Sequence, residues 1–157
     1  GAPVDIVVTG SSAPTDHLFF HTGWAVVNCD PLCKDGGTII QATPCPGYGS
    51  WPGFALMDLM KEYMPPSPEN AARALRAFYG KERELWAGCI WWKIYEVMTR
   101  KQVIIVTRRE NLAMCAEAGL DATDSVEKAF ERALERHGRD ARVAFVPYGR
   151  YSIFDVG

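Results

Sequence analysis

Four short runs of β-branched and aliphatic residues constrain this chain more than any other feature. Ile6-Val7-Val8, Thr38-Ile39-Ile40, Val103–Val106 and Val143–Val146 are separated by helix-length segments. Runs of this kind, without alternation, are what strands buried on both faces require. The stretch from Asp5 to Phe54 sets the pattern as strand, turn, helix, turn, strand and glycine-rich loop. Gly10-Ser11-Ser12-Ala13-Pro14 breaks the first strand, and Asp16 to Asn28 is apolar and aromatic enough for a packed helix. Asp35-Gly36-Gly37 reads as a turn, and Cys45-Pro46-Gly47-Tyr48-Gly49 as a loop that no helix or strand tolerates. This is a βαβ unit, and ligands of open α/β sheets sit where such strands end.

The later segments repeat the alternation. Phe54 to Met64 carries apolar residues at helical spacing and is stopped by Pro65-Pro66. Ser67-Pro68-Glu69 is a helix start, with Ser67 as cap; Ala71, Ala74 or Leu75, and Phe78 face inward, and Gly80 closes the helix. A third helix from about Lys81 to Thr99 is apolar on two sides, which places it between layers. After the third strand come Arg108-Arg109 and a short helix over Glu110 to Ala118. Asp124 and Glu127 have capping-box spacing ahead of an apolar stripe of Val126, Ala129, Phe130, Ala133 and Leu134. His137, in the last turn, reads only as a charge that suits a helix C-terminus. These elements predict a three-layer, Rossmann-like α/β domain over residues 1–157, with a mostly parallel sheet of about four strands and right-handed crossovers. Thr9–Ser12, Ala42–Gly49, Thr107–Arg109 and Pro147–Arg150 then meet at one edge.

With 48% apolar and 23% charged residues the chain is globular, and a net charge of -2 argues against general nucleic-acid binding. Its apolar runs are far shorter than the roughly 20 residues of a membrane span. Cys29, Cys33, Cys45, Cys89 and Cys115 are irregularly spaced, which fits free thiols in a reducing cytoplasm. Gly1 in place of Met suggests a trimmed tag or an excised domain.

Cofactor fingerprints are absent: Gly10 stands alone where a dinucleotide loop needs three glycines, and there is no P-loop lysine or nucleophile elbow. A Rossmann-type oxidoreductase is set back accordingly. Asp16, His17 and His21 open the first helix beside the ligand-prone edge, and two histidines four apart share a helical face. They would need a third ligand from elsewhere to hold a metal; the alternatives are packing, or a substrate contact by His21. Cys29 and Cys33 lack the second pair that zinc sites use. The loop of Gly47 and Gly49 either offers backbone N–H groups to an anion or is a plain connection. Trp86 is either core or a ligand contact.

The order of these segments resembles the C-terminal domain of the nickel-dependent lactate racemase family. The family's G-G-Y-P-x-D-x-x-x-Y-Q-x-x-K segment corresponds to Ser11 through Trp24, with Pro14 and Asp16 matching and Phe20 in place of the tyrosine. Lys34 through Ile40, Cys45-x-Gly47-x-Gly49 and Phe54 resemble its K-x-G-G-x-I-I, glycine loop and phenylalanine. Trp86-x-x-x-Ile90-x-x-Lys93 is similar to its W-x-x-Q-I-x-x-R helix.

The resemblance implies one half of a two-domain enzyme. Its N-terminal domain would hold a nickel pincer nucleotide and the two histidines that exchange the α-proton, while a hydride passes to and from the pyridinium ring. The C-terminal domain would close the cleft over a small 2-hydroxy acid. Substrate-side residues then fall on Asp16, His21 and Trp24, and cofactor-side residues on Trp86, Gly47 and Gly49. No catalytic or metal-binding residue falls in this chain, which would be inactive alone and hold no cofactor itself. His21 replaces the family's Gln and Trp24 its Lys. An ammonium pairs with a carboxylate, whereas an indole donates one neutral hydrogen bond. The resemblance therefore implies either a different substrate, with His21 or Arg108/Arg109 handling its polar groups, or an activity that has been lost. The expected protein is a cytoplasmic 2-hydroxy acid racemase or epimerase whose partners are its own N-terminal domain and the small acid, with no nucleic acid or membrane. The alternative is a non-catalytic ligand-binding or assembly domain of the same fold.

Overall fold

The computed structural model describes residues 1–13, 16, 19–45, 61–82 and 85–155, and of 19–22 and 85–91 the backbone alone. Strands β1 (Val4–Gly10), β2 (Cys33–Ala42), β3 (Gln102–Val106), β4 (Ala122–Thr123) and β5 (Val143–Val146) form one sheet in the order β4-β3-β2-β1-β5. Every neighbouring pair is parallel. The helices are α1 (Phe19–Cys29), α2 (Pro68–Tyr79), α3 (Leu85–Arg100), α4 (Leu112–Glu117) and α5 (Val126–His137). Residues 61–63 are helical too, at the end of the expected Phe54–Met64 helix, the rest of which lies outside the described residues.

Alternation along the strands sorts the core into two layers. Val7, Ile39, Val103 and Ile105 pack with Val26 of α1, Ala74 and Phe78 of α2, and Tyr95 and Val97 of α3. Ile6, Ile40, Ile104 and Val106 turn the other way, onto Ala129 and Ala133 of α5. Both faces of the sheet are thus dry, which is why its strands read as unbroken apolar runs.

Several local expectations are met. Ser67 caps α2, its Oγ accepting from the Asn70 amide at 3.1 Å, and Ala71, Ala74 and Phe78 are buried. Others are corrected. A fifth strand, β4, is added at the sheet edge; two residues are too few to show a periodicity. Asp35-Gly36-Gly37 belongs to β2 and is not a turn between elements. Val4 lies beside Cys33 but Ile6 beside Thr38, so Lys34 to Gly37 bulge out of the ladder. Gly36 takes φ +77 there, and a Cβ on Gly37 would come within 2.6 Å of Cys33 Sγ. Ser125, not Asp124, caps α5, its Oγ accepting from the Lys128 amide at 3.2 Å.

His137 is also more than a terminal charge. Gln102 Nε2 donates to Asp121 Oδ2, which turns Gln102 Oε1 toward Thr38, whose hydroxyl donates to it at 3.0 Å. His137 Nε2, 2.8 Å from that hydroxyl oxygen, is therefore the donor to it. Arg132 holds the far end of this chain through Asp121 at 2.6 Å. Nearby, Lys101 is buried and donates to the Asp30 carbonyl at 2.6 Å and to its carboxylate at 2.5 Å. Arg100 reaches Asp30, Asp35 and Glu96. The amino-terminal edge of the sheet is closed by these two networks.

Two measurements check this edge. Lys101→Ala should destabilise the fold by about 3 kcal/mol in urea unfolding, the low end for breaking a buried ion pair, because Arg100 still holds Asp30. Burial, with Arg136 and Lys34 nearby, lowers the His137 pKa below its ordinary 6.5. The unfolded chain then binds the proton first, so this contribution is complete above about pH 6.5 and is lost as pH falls toward the folded midpoint. His137→Asn should flatten the dependence of the unfolding midpoint on pH across that interval.

Candidate functional site

The opposite, carboxyl-terminal edge is built differently. The backbone turns away from each strand under cross-strand control. The Ser11 amide donates to the Ala42 carbonyl at 3.2 Å, Thr43 to Val106 at 2.9 Å and Thr107 to Thr123 at 3.0 Å. At Gly10 a Cβ would meet the Pro147 carbonyl oxygen at 3.0 Å, so the β1 and β5 exits approach closely only because that residue has no side chain.

Asn111 organises this edge from the 3-10 turn Arg109–Asn111 that follows β3. It is buried, and Nδ2 donates to the carbonyls of Pro44 and Cys45 at 3.3 and 3.2 Å and to Thr107 Oγ1 at 3.0 Å. Its two amide hydrogens serve three acceptors, so one bond is shared. Cys45 is buried with φ +38, in the left-handed region, and the Asn111 bond to its carbonyl supports that backbone. Burial pushes the Cys45 thiol up to about 12 and the Cys33 thiol up to about 11, so both are protonated at neutral pH.

Between the exits of β1, β2 and β3 lies a depression of about 520 Å³, lined by Ser11, Thr43, Thr107 and Arg108 among others. A smaller apolar cleft of about 190 Å³ lies where Val8 and Gly10 meet Phe145 and Pro147. The chain leaves β1 toward β2 on one side and returns as β5 on the other, so this is the point where the strand order reverses.

The two arginines that sequence treats alike have different surroundings. Arg109 binds Asp124 through Nη2 at 2.9 Å and Nε at 3.1 Å, and Lys128 binds the same carboxylate at 3.2 Å. Arg109 first, then Lys128, holds the Asp124 carboxyl below its ordinary range. Arg108 is half exposed on the depression and, among the described residues, has one long ion pair, 3.7 Å to Glu110.

The other expected site residues are distributed along this edge and beside it. Asp16 is partly buried, and its carbonyl accepts from Thr43 Oγ1 at 3.3 Å, which ties the segment after β1 to the β2 exit. The His21 backbone lies in the first turn of α1 and the Trp86 backbone in the first turn of α3. Both helices connect parallel strands, so both turns lie toward the strand exits. Trp24 lines a separate depression of about 330 Å³ with Asn28, Arg150 and Tyr151. Asn28 holds that wall, donating to the carbonyls of Gly149 at 3.1 Å and Arg150 at 2.7 Å. Trp24 and Arg108 do not share a depression among the described residues. Gly47 and Gly49 lie outside the described residues. Among the described residues no three of His, Cys, Asp and Glu gather to hold a metal, and no helix is long and apolar enough to cross a membrane. Asn111 escaped the sequence reading because one asparagine after a strand carries no spacing signal.

The family model described as "Lactate racemase C-terminal domain" matches residues 1–154. Seven chains of solved structures match, among them the lactate racemase apoprotein from Thermoanaerobacterium thermosaccharolyticum, at 23% identity and a TM-score of 0.83. That match covers 96% of this chain and 35% of the racemase chain. No curated protein matches.

Asn111→Ala should destabilise the fold by about 1–3 kcal/mol, because three acceptors, two of them in buried contacts, lose their donor. The backbone amides of Thr43 and Thr107 should shift in NMR spectra, while those of the amino-terminal edge stay in place.

Proposed function

The chain belongs to the lactate racemase C-terminal domain family, and from that premise we propose that it is the C-terminal domain of a two-domain 2-hydroxy acid racemase or epimerase. It closes over a nickel-pincer-nucleotide site carried by an N-terminal domain and helps hold a small 2-hydroxy acid. The observation that carries this reading is the family match along residues 1–154, together with the polar strand-exit edge where a parallel sheet binds its ligands.

The described part of this chain does not offer the cofactor a set of metal ligands: no three ligand side chains gather, and the Cys33 and Cys45 thiols are protonated. On this reading the N-terminal domain supplies the metal ligands. When bound there, the pincer nucleotide supplies hydride chemistry at the carbinol carbon. This chain's part is to bind and orient. Asp16, His21 and Trp24 stand on the substrate side, and Trp86, Gly47 and Gly49 on the cofactor side. Burial of the acid beneath this domain would exclude water from the reacting carbon. The isolated chain has no turnover, and the free thiols suit a reducing cytoplasm.

A non-catalytic binding or assembly domain is the second reading, favoured by Trp24 at the family's lysine position. Chiral separation of 2-hydroxy acids after incubation with the full-length, cofactor-loaded protein separates the two. Interconversion of enantiomers is expected, with none from the 157-residue chain alone. His21→Gln with Trp24→Lys should shift the preference toward lactate. A loaded protein that interconverts no 2-hydroxy acid would leave the binding-domain reading.

A further inference from the structure

We propose that the strand-exit depression is a carboxylate subsite, with the Arg108 guanidinium as its counter-charge and the hydroxyls of Thr107 and Ser11 as neutral donors. This rests on the substrate-side reading above and moves the counter-charge from α1, where Trp24 has none, to the exit of β3.

The charges around the depression favour an anion. Asp124 lines it too, but Arg109 and Lys128 both bind that carboxylate. Glu110 faces Arg108 across 3.7 Å, beyond hydrogen-bond length. Of these five groups, three are cations and two are carboxylates, so together they carry a net charge of +1. A guanidinium prefers two parallel hydrogen bonds to one carboxylate, and Glu110 at that distance provides neither.

The neutral groups fit the same ligand. Thr107 Oγ1 accepts from Asn111 Nδ2, so its own hydrogen remains to be donated. Ser11 Oγ is closed off from water and has no hydrogen-bond partner among the described residues. An unpartnered buried hydroxyl is unfavourable, and rotation about one bond presents it to an oxygen arriving in the depression. Arg108 is set by backbone: the Asn111 amide donates to the Arg108 carbonyl at 2.9 Å, and Asn111 in turn holds the β2 exit. The two walls of the depression are thereby fixed relative to each other, and a short acid spans them. A volume of about 520 Å³ accepts an acid of a few carbons and keeps one side open for a second domain.

The test is an amide NMR titration of the 157-residue chain with L-lactate and, separately, with neutral lactamide. Lactate should shift the Ser11, Thr43 and Thr107 amides with a Kd of about 10 mM or tighter, and lactamide should not. Arg108→Gln, a change at a half-exposed side chain, should weaken lactate binding about tenfold with the spectrum otherwise intact, and Arg108→Lys should recover part of the loss. Lactate shifts centred on Trp24, Asn28 and Tyr151 would overturn this subsite while leaving the domain's substrate role in place. Equal binding of lactamide, no effect of Arg108→Gln, or no shift at all would also overturn it. Failure of the full-length protein to racemise would count against the enzyme reading and not against this subsite.

Discussion

Burial of the parallel sheet on both faces is the constraint from which the rest of this structure follows. Odd- and even-numbered strand residues enter two separate cores, Val7 and Ile39 in one and Ile6 and Ile40 in the other. Each connection between parallel strands must then cross a face as a helix, which brings every strand exit to the same edge. The remaining polar groups collect at the two ends of the strands, where the apolar layers stop.

Those two ends solve the polar problem in opposite ways. At the amino-terminal edge, Asp30, Arg100 and Lys101 form one closed network, and His137, Thr38, Gln102, Asp121 and Arg132 form another. Their donors and acceptors face each other, which makes this edge a floor. At the carboxyl-terminal edge, Asn111 and the cross-strand amides satisfy the backbone, while Arg108 is half exposed and Ser11 Oγ has no partner among the described residues. A rigid backbone carrying unsaturated polar side chains is what a ligand-orienting wall requires.

Within the family frame, the departures at α1 have a physical counterpart elsewhere in the chain. The lysine that would stand at Trp24 is replaced by an indole, and the indole lies beside Arg150 in a depression of its own. Arg108 lies at the β3 exit, across the edge from it. Cationic groups on two different elements therefore stand at this edge, each beside a depression of its own.

Much of this was legible in the residues themselves. Unbroken β-branched runs announce a sheet buried on both sides, and Ser67-Pro68 announces a helix start, because each depends only on neighbours in the chain. The resemblance carried by Pro14, Asp16, the glycines and Trp86 likewise depends on order and spacing, and it led to the family. What no local pattern contained were the pairings between distant residues. The two residues of β4 are a strand only because Ile105 and Val106 lie beside Ala122 and Thr123. Gly36 and Gly37 read as a turn until the register of β1 makes them a bulge. Arg108 and Arg109 are identical neighbours in sequence, yet Asp124, fifteen residues past Arg109, takes one and leaves the other. His137 acquires a lowered pKa because the fold buries it against Thr38, ninety-nine residues away. Periodicity, caps and family are written along the chain; register, charge pairing and desolvation exist only once distant segments are in contact.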